Sequence, residues 1–339
     1  MSSDVKVGVV GATGALGGEV LKVLDQAPWR PDIVVALARA ATSASHVAYG
    51  DEQLVVDDVE HEALDELDAV ILTVPASEAR SPGEAALEGG AAVVDASGVL
   101  LADGDVPLVV PWINPEALAS ARRRVVAVPR PAGLLLGSIL GPLRRAGLTG
   151  RCTSTVMLPA SAHGRDGIDE LSRQVVALFN SGTPPRKVFP TGLAFDLLPA
   201  VGPLDEQGFS RAERRASAEA QVLSGWEGEV ATSIVGVPLF SGVSASVDLG
   251  FDRSVPLELI RQVLADGGLR LPEDASVRSL PRPRRVEGEP FAHIGRLRQR
   301  DDGTVQLFAT MDNLRGTAAV LVALAAALLG DRIPRGGSK

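Results

Sequence analysis

A glycine-rich segment near the start of the chain carries the clearest chemical signal in the sequence. Val5–Val10 is a β-branched run, and Gly11, Gly14 and Gly17 follow it three residues apart in GVVGATGALGG. At a strand-to-helix turn, glycines let the backbone approach a pyrophosphate, and the first amides of the helix bind the anion. The spacing G-x-x-G-x-x-G differs from the common G-x-G-x-x-G pattern. Its place after a strand predicts a dinucleotide-phosphate site, the alternative being a tight turn without a ligand.

Arg39 follows the second predicted strand, in VVALARA, with Thr42 and Ser43 close behind it. Dinucleotide-binding domains that prefer NAD carry an acidic residue at this point, which binds the ribose 2′-hydroxyl. This strand ends without an acid, and an arginine pairs instead with a 2′-phosphate. The sequence therefore favours NADP over NAD, the alternative being that Arg39 is an exposed loop arginine.

The remaining nucleophilic and titratable candidates are few. Cys152, in the strand-like run RCTSTVML, is interpreted as a small buried hydrophobic residue because no His or Arg motif accompanies it. His163, in the loop SAHGRDG, is the one histidine retained as a functional candidate. His46, His61 and His293 fit surface positions. The histidines show neither metal-ligand spacing nor a Ser-His-Asp order, so neither a metal site nor a serine hydrolase is predicted.

The first 127 residues alternate short β-branched runs with helix-like segments. This alternation is typical of parallel βαβ units, in which a glycine loop of this kind follows a strand. The predicted strands are Val5–Val10, Ile33–Leu37, Ala69–Val74 and Ala91–Asp95, and the predicted helices are Gly17–Gln26 and Pro82–Glu88. These elements predict a parallel, nucleotide-binding first domain.

Beyond about Thr153 the pattern changes to longer helices and separate strand-like runs, which indicates an α+β second domain. The predicted helices are Ile168–Phe179, Ala212–Leu223 and 316–329, and the predicted strands are Gly228–Phe240, Val243–Phe251 and Val305–Met311. Arg278–Pro290 is rich in Arg, Pro and Glu and predicts a loop, while the tail GGSK predicts disorder.

Composition and charge exclude several classes of function. The chain has 339 residues, 45% of them apolar and 22% charged, which suits two globular domains. A net charge of −9 argues against nucleic acid or an anionic membrane as the main partner. The basic runs Arg122–Arg124 and Arg282–Arg285 are interpreted as solvated surface.

The expected compartment follows from cysteine content and from the absence of targeting patterns. A single cysteine excludes an internal disulfide and fits a reducing compartment. The start MSSDVKVGVV lacks the form of a secretion signal. The longest apolar run, Ala318–Leu329, is shorter than the ~20 residues that span a bilayer. The sequence therefore predicts a cytoplasmic protein.

Four blocks of sequence, in order, resemble aspartate-semialdehyde dehydrogenase. They are GVVGATGALGGEVLKVL, DGDVPLVVPWINPEAL, GRDGIDELSRQVVALFNSG and the pair GRLRQ and DNLRGTAA, and the resemblance extends from Val5 to about Leu329. It is nearest to the Usg-type paralogues that lack the catalytic cysteine. The resemblance implies an α/β fold class, with an N-terminal Rossmann-type NADP-binding domain plus an α+β substrate and dimerisation domain. The expected boundaries are 1–132 and 315–339, to which the C-terminal helix returns, and 133–314. A homodimer and a place in amino-acid biosynthesis are also implied.

The chemistry of that family needs a cysteine that this chain lacks at the matching position. The family makes or reduces an acyl phosphate through a thioester on cysteine, with hydride passing to or from NADP. Its cysteine stands just before a helix, in a segment resembling A-N-P-N-C-S-T. The matching segment here is AVPRPAG at residues 127–133, and Pro131 stands where the cysteine is expected. Proline has no nucleophilic group.

Other positions that match the family's active site also lack its polar groups. In GVPLFSGVS, Gly236 replaces the arginine that binds the substrate carboxylate, and Val243 replaces the general base. Leu158 falls where a glutamine positions the thioester, and Leu101 falls where an arginine binds phosphate. Arg215 matches the lysine of the phosphate site, so one charged corner of the pocket is expected to remain.

The cofactor side keeps more of the family's features. Thr73–Ala79 follows the third strand, where the family's backbone passes the cofactor, and Asn313 lies in DNLR, which resembles a late cofactor-contacting segment. Gly316-Thr317 departs from the lysine-glycine that usually follows. The expected NADP-binding residues are Gly11, Thr13, Gly14, Ala15, Leu16, Arg39 and Asn313.

Three functions remain open at this stage. The first is an inactive paralogue that binds NADP and forms a dimer, with itself or with an active relative. The second is a working oxidoreductase on another aldehyde or acyl compound, which uses His163 or a solvent-derived base and keeps Arg215 as a residual charged group. The third is a scaffold or regulator that binds no cofactor. The apolar replacements favour the first, because a pocket rebuilt for new chemistry gains charged or hydroxyl groups rather than losing them all.

Overall fold

The chain divides into two compact units, and the glycine-rich loop belongs to the first. That unit contains the described residues up to Pro129 and those from Thr317 on, and the second contains Arg130–Gly316. The computed structural model describes residues 4–39, 45–274 and 276–330. Thr42, Ser43 and the GGSK tail therefore lie outside the described residues.

A seven-stranded sheet forms the centre of the first unit. Its strands are β1 (Lys6–Val10), β2 (Ile33–Ala38), β3 (His46–Tyr49), β4 (Glu52–Asp58), β5 (Ala69–Leu72), β6 (Ala92–Asp95) and β7 (Val125–Ala127). The spatial order is β3-β4-β2-β1-β5-β6-β7, and every neighbouring pair is parallel except β3 with β4. β5 and β6 are buried along their whole length, as is typical of parallel strands covered on both faces.

Strand β1 lies where the order of the sheet reverses. It pairs with β2 on one side and with β5 on the other, so the connections leave it in two directions. Ligands of open α/β sheets bind beyond the carboxyl ends of the strands at such a switch point, and the glycine-rich loop follows β1 there. The helices of this part of the chain are α1 (Ala15–Gln26), α2 (His61–Leu64), α3 (Ala76–Glu88) and α8 (Asn313–Leu329), the last of which begins in the second unit.

A five-stranded, mostly antiparallel sheet forms the second unit. Its strands are β8 (Gly150–Leu158), β9 (Val230–Gly236), β10 (Val243–Phe251), β11 (His293–Gln299) and β12 (Val305–Met311). The order is β11-β12-β10-β8-β9, in which only β8 with β9 is parallel. The helices are α4 (Pro131–Arg145), α5 (Gly164–Phe179), α6 (Arg211–Ser224) and α7 (Leu257–Asp266). Together with the first unit, this arrangement confirms the predicted α/β class.

Helices α4 and α6 pack closely because glycines of α4 face α6. A Cβ atom on Gly137 would lie 3.0 Å from Leu223 Cδ1. One turn earlier, a Cβ atom on Gly133 would lie 2.5 Å from Glu219 Oε2. Almost all of α4 is buried, so the helix that begins at Pro131 is a core element of the second unit.

Two of the predicted boundaries that are wrong involve a proline. The strand predicted over Gly228–Phe240 is the shorter Val230–Gly236. Pro238 has no N–H donor to continue the ladder, so the chain leaves the sheet before it. Helix α3 begins at Ala76, and Pro82, where the helix was predicted to begin, lies inside it.

The last helix begins three residues before the predicted start. Asp312 accepts hydrogen bonds from the backbone N–H groups of Leu314 and Arg315, which caps the helix at Asn313. Helix α5 likewise begins at Gly164 rather than at Ile168. Strands β3, β4, β7 and β11 and helix α7 are additions that the sequence patterns did not predict.

None of the helices in residues 4–39, 45–274 and 276–330 combines the length and the apolar character that crossing a membrane requires.

Candidate functional site

The glycine-rich loop after β1 needs glycine at two of its positions. Gly11 has a φ angle of +90°, and a Cβ atom on it would lie 2.7 Å from Thr73 Oγ1. The Thr73 hydroxyl in turn donates a hydrogen bond to the Val10 carbonyl oxygen at 2.8 Å. A Cβ atom on Gly17 would overlap the Gly11 carbonyl oxygen. Only glycine allows α1 to start this close to the loop.

The start of α1 is built to receive an anion. Gly14 occupies the N-cap position, and among the described residues no side chain caps the helix there. The first helical hydrogen bond runs from the Gly18 N–H group to the Gly14 carbonyl oxygen at 3.0 Å. The N–H groups of Ala15 and Leu16 precede it, and no acidic residue stands in the first turn. Such a helix start favours a phosphate group, so these residues fit the dinucleotide that the sequence predicts.

Substitution of Gly17 by alanine is expected to abolish dinucleotide binding, because the added methyl group pushes α1 away from the Gly11 carbonyl oxygen. Gly18 provides a matched control, since a Cβ atom there would meet no described atom within 4 Å. Gly18→Ala is expected to bind as the unsubstituted protein does and to be more stable by about 0.5–1 kcal/mol. Titration calorimetry with NADPH checks both variants. Equal affinity of the two variants would contradict this account of the loop.

Arg39 follows β2, and its guanidinium group lies beside a carboxylate. Its Nη1 atom is 3.1 Å from Glu78 Oε1, in the first turn of α3, and its side chain is 70% exposed. An exposed pair of this kind is weak, so a phosphate dianion can compete for the guanidinium group. Binding of a 2′-phosphate by Arg39 stays a prediction, and it would require the guanidinium group to leave one surface ion pair.

Pro131 is the first residue of α4. Arg130 is the N-cap residue in an extended conformation, and its N–H group donates a hydrogen bond to Glu219 Oε2 at 2.8 Å. A proline at this position fixes the backbone angle of the first turn and removes a donor that the helix does not use. The turn that the resemblance associates with a thiol is thus stabilised by a ring and by a carboxylate from α6.

Arg215, the charged residue expected to remain, forms a tight ion pair with Glu219. The Arg215 Nε atom lies 2.6 Å from Glu219 Oε1, and the carboxylate is almost completely buried. Burial raises the pKa of Glu219, although Arg215 and the Arg130 amide act in the opposite direction. The guanidinium group is therefore already paired within the protein, which weakens its attraction for a phosphate.

Three residues at positions where the resemblance expects polar groups lie together at one end of the strands of the five-stranded sheet. Leu158 and Gly236, the last residues of β8 and β9, are directly paired, and Val243 begins the antiparallel β10 beside them. Val243 is fully buried. A Cβ atom on Gly236 would lie 3.1 Å from the Leu198 Cβ atom, and Leu198 exchanges both backbone hydrogen bonds with Gly236. A longer side chain at position 236 would have to displace Leu198.

Asn313 lies at the same end of the strands, and its side chain links the loop that contains Ser161 to the loop that contains Gly242. Its Oδ1 atom accepts a hydrogen bond from the Gly242 N–H group at 2.9 Å. Its amide nitrogen donates to Ser161 Oγ at 3.0 Å. The side chain is buried, so this predicted cofactor residue also has a structural role within the second unit. Leu101 lies in the first unit, in a short 3-10 helix over Leu100–Asp103.

The remaining titratable candidates are separated from one another. His163 ends the 3-10 helix Ala160–His163 and packs edge-on against Phe189, with ring centroids 5.1 Å apart. The residue as a whole is exposed, but the groups packed around the ring take it partly out of water, and this desolvation lowers its pKa. Cys152 is buried in β8, and burial raises the pKa of its thiol to about 12. Within the described part of the chain, no three His, Cys, Asp or Glu side chains are grouped to hold a metal ion.

The surface position predicted for His293 is wrong. This residue begins β11 and is half-buried, and its Nε2 atom has no hydrogen-bond partner among the described residues. Burial is the main cause of its lowered pKa, and Arg270 and Arg285 add to the effect. Partial burial therefore disfavours the charged form of this imidazole.

Sequence reasoning missed two residues that shape this site. Glu219 was recoverable in part, because it stands four residues after Arg215 on one helix face, which predicts an ion pair. Leu198 carries no such signal, because its pairing with Gly236 depends on a long loop returning to the sheet.

Comparison with known proteins identifies the family to which both units of the chain are similar. The family described as "Semialdehyde dehydrogenase, NAD binding domain" matches residues 6–121, and "Semialdehyde dehydrogenase, dimerisation domain" matches residues 140–316. A USG-1 protein homolog of Pseudomonas aeruginosa is 31% identical over 336 residues, covering 98% of each chain. Aspartate-semialdehyde dehydrogenase of Rickettsia conorii is 26% identical over 324 residues, covering 94% of this chain and 96% of its own.

Solved structures agree with these sequence matches. Aspartate semialdehyde dehydrogenase II of Vibrio cholerae, in complex with ASA, superposes with a TM-score of 0.90 at 26% identity, covering 97% of this chain and 98% of its own. A probable aspartate-semialdehyde dehydrogenase of Pseudomonas aeruginosa superposes with a TM-score of 0.87 at 30% identity, covering 97% and 99%.

Proposed function

The chain belongs to the semialdehyde dehydrogenase family, and from that premise we propose that it binds NADP(H) but does not turn over aspartate semialdehyde. The observation that carries this proposal is Pro131 at the first position of α4, where the resemblance expects the nucleophilic cysteine. The ring nitrogen of proline is part of the peptide bond, so no covalent thioester can form there.

No other residue of the chain offers a thiol in its place. The sequence contains one cysteine, Cys152, and that side chain is buried in the middle of a sheet. A thiol with a pKa of about 12 is almost entirely protonated at neutral pH and does not attack an aldehyde. Val243, at the expected position of the general base, has an aliphatic and fully buried side chain. Thioester chemistry therefore lacks both of its reacting groups.

Substrate anions would also meet an unfavourable environment. Gly236 offers no guanidinium group for a carboxylate, and the Leu198 side chain covers the position where one would begin. The carboxylate of Glu219 already lies against Arg215 and the start of α4. A phosphate that approached this corner would have to compete with a buried negative charge.

The cofactor side supports binding. The start of α1 lacks a capping side chain among the described residues, and the residues expected at the pyrophosphate are Gly11, Thr13, Gly14, Ala15 and Leu16. Arg39, with Glu78 as a displaceable partner, supports NADP(H) over NAD(H). When bound, the dinucleotide would supply a nicotinamide ring for hydride exchange. The second unit matches a dimerisation domain, which supports a homodimer, and the unpaired Cys152 fits a cytoplasmic protein.

Titration calorimetry with NADPH and NADH tests the binding half of the proposal. We expect NADPH to bind more tightly than NADH, because only NADPH carries the 2′-phosphate. Arg39→Ala is expected to weaken NADPH binding by about 10–100-fold and to leave NADH binding unchanged, since it removes one charge-assisted contact. Arg123→Ala, which removes another exposed and ion-paired arginine of the same unit, is the matched control. Equal loss of both cofactors in the Arg39 variant would contradict the assignment.

A turnover assay tests the catalytic half. Protein purified free of host dehydrogenase is mixed with NADP, aspartate semialdehyde and phosphate, and absorbance at the nicotinamide band is followed. We expect no turnover. Oxidation of NADPH against other aldehydes would favour a working oxidoreductase that keeps His163 as a residual catalytic group. Absence of binding by either dinucleotide would favour a scaffold without a cofactor.

A further inference from the structure

An acidic side chain from α3 lies beside Arg39, the residue predicted to bind the 2′-phosphate. Arg39 directly follows β2, and Glu78 lies in the first turn of α3, the helix that follows β5. Strands β2 and β5 flank β1 on opposite sides, so the ion pair of Arg39 Nη1 with Glu78 Oε1 bridges their carboxyl ends. Dinucleotides bind beyond this end of such a sheet, so both charged groups stand beside the predicted ribose site.

The segment that leads to Glu78 also contacts the glycine-rich loop. A Cβ atom on Gly11 would lie 2.7 Å from Thr73 Oγ1 and 2.8 Å from Val74 Cγ1, so the residues after β5 pack against the loop after β1. The Thr73 hydroxyl fixes this contact through its hydrogen bond to the Val10 carbonyl oxygen. Glu78 follows within a few residues and therefore belongs to the same site as the predicted pyrophosphate-binding residues.

The preferences of a carboxylate are opposite to those of a guanidinium group. A carboxylate only accepts hydrogen bonds, so it binds the hydroxyl groups of a ribose and repels a phosphate. In domains that prefer NAD, an acid in this role follows the second strand. In this chain β2 ends without an acid, and α3 supplies one from the other side of β1. Two groups with opposite preferences for the cofactor are thus in direct contact.

Glu78 keeps one carboxylate oxygen available. Its Oε1 atom pairs with Arg39, whereas Oε2 has neither a hydrogen-bond partner nor an ion-pair partner within residues 4–39, 45–274 and 276–330. A ribose hydroxyl can therefore donate to Oε2 while the ion pair with Arg39 stays intact.

The carboxylate is the more fixed member of the pair. The Glu78 side chain is 29% exposed, against 70% for that of Arg39. The Glu78 N–H group donates a hydrogen bond to the Pro75 carbonyl oxygen at 2.9 Å, and the start of a helix favours a negative charge. A 2′-phosphate that takes the guanidinium group would therefore leave the carboxylate nearby, and the two negative groups would repel each other.

We propose that Glu78 is a specificity-determining residue that lowers the preference of the chain for NADPH over NADH. It accepts a ribose hydroxyl of NADH and repels the 2′-phosphate of NADPH, whereas Arg39 favours NADPH. The chain binds both cofactors, and NADPH binds more tightly by a smaller factor than Arg39 alone would give. This inference deepens the proposed function and rests on its dinucleotide site.

A purely structural role for Glu78 predicts the opposite change in affinity. If the carboxylate only orients the guanidinium group of Arg39, its removal weakens NADPH binding. If the carboxylate acts against the phosphate, its removal strengthens NADPH binding, because the competing ion pair and the repulsion are both lost. The sign of the change decides between the two roles.

Titration calorimetry of the full chain with NADPH and with NADH tests the proposal. Glu78→Gln keeps the size of the side chain and removes its charge. We expect NADPH to bind about 5–20-fold more tightly. We expect NADH to bind about 2–5-fold more weakly, because a neutral amide is a poorer acceptor for a hydroxyl group. The gain for NADPH is expected to shrink at about 1 M salt, which screens exposed charges.

Glu84→Gln is the matched control, because Glu84 lies on the same helix and forms an exposed ion pair with Arg80 at 3.0 Å. It changes the net charge by the same amount, and we expect both affinities to stay unchanged. Thermal unfolding of each variant shows that the chain is intact.

Three results would overturn the inference: Glu78→Gln weakens NADPH binding, it leaves the ratio of the two affinities unchanged, or Glu84→Gln strengthens NADPH binding equally. In each of these cases the unsubstituted chain still binds NADPH, so the proposed function stands. If the unsubstituted chain binds neither dinucleotide, the proposed function fails and the inference fails with it.

Discussion

Replacing Glu170 by alanine is expected to lower the free energy of unfolding of the second unit by about 3–5 kcal/mol. The substitution removes the acceptor of the three backbone N–H groups of residues 187–189, and each amide left buried without a partner costs about 1–3 kcal/mol, reduced where water can enter. Gln174 also loses its contact with Glu170 Oε1. Urea unfolding at pH 7 measures the change, with Glu258→Ala, at an exposed acid on α7, as control.

The same carboxylate gives the fold a dependence on pH. Burial acts to raise the pKa of Glu170, but hydrogen bonds from the amides of residues 187–189 outweigh it, so the pKa of this carboxyl is lowered overall. A carboxyl with a lowered folded-state pKa contributes stability that is fully present above its unfolded pKa of about 4.3. That contribution is lost as the pH falls through the folded-state value. We expect Glu170→Gln to flatten the acid limb of the unfolding curve. An unchanged acid limb would show that Glu170 is not the responsible group.

Substituting Gly133 by valine is expected to destabilise the second unit by a similar amount, about 3–5 kcal/mol. The new Cβ atom would lie 2.5 Å from Glu219 Oε2 and 2.7 Å from the Glu219 Cβ atom. The carboxylate cannot simply move aside, because it is paired with Arg215 and accepts the Arg130 N–H group. Helix α4 would therefore have to shift away from α6, and this shift would loosen the packing of its buried side chains. Thermal unfolding followed by circular dichroism measures the effect.

A double-substitution cycle separates the clash from other costs of the change. Gly133→Ala adds only the Cβ atom, and Glu219→Ala removes the groups that it would meet. If the close approach is the cause, the double variant is expected to be more stable than the sum of the two single effects indicates, by about 1–3 kcal/mol. If the two single effects on the free energy of unfolding simply add, the destabilisation by a residue larger than glycine at position 133 does not come from its contact with Glu219.

Much of the fold could be predicted because its signals are local. Strands β10 and β12 have their predicted limits, since apolar residues alternate there and one face is buried. The hairpin of β3 and β4 was missed because its exposed edge reads HVAYGDEQLVVDD, in which polar residues obscure the alternation. Helix α3 was cut short because Pro82 looks like a start, although the turn before it is already helical.

The candidate site also has a part that local sequence signals predict and a part that they do not. The strand, the glycine loop and the helix that follow one another in sequence also follow one another in space, so the dinucleotide loop could be predicted. The hydrogen bonds that fix the loops and helix starts of the second unit join residues that are distant in sequence: Arg130 with Glu219, and Gln174 with Leu193. No periodic pattern encodes these pairs, because each depends on how complete elements pack. Predicting that Pro131 starts a helix was possible, whereas predicting its carboxylate neighbour was not.

The burial of Cys152 has a practical consequence for experiments on mixtures. With a pKa of about 12, the thiol is almost entirely protonated at pH 7, and the sheet shields it from reagents. Because the chain has no other cysteine, the folded protein is silent to iodoacetamide and maleimide probes. In an extract, such probes would mark dehydrogenases that carry a reactive thiol and leave this chain unmarked. If a complex that contains this chain is found to carry such a label, the label must therefore be on the partner protein.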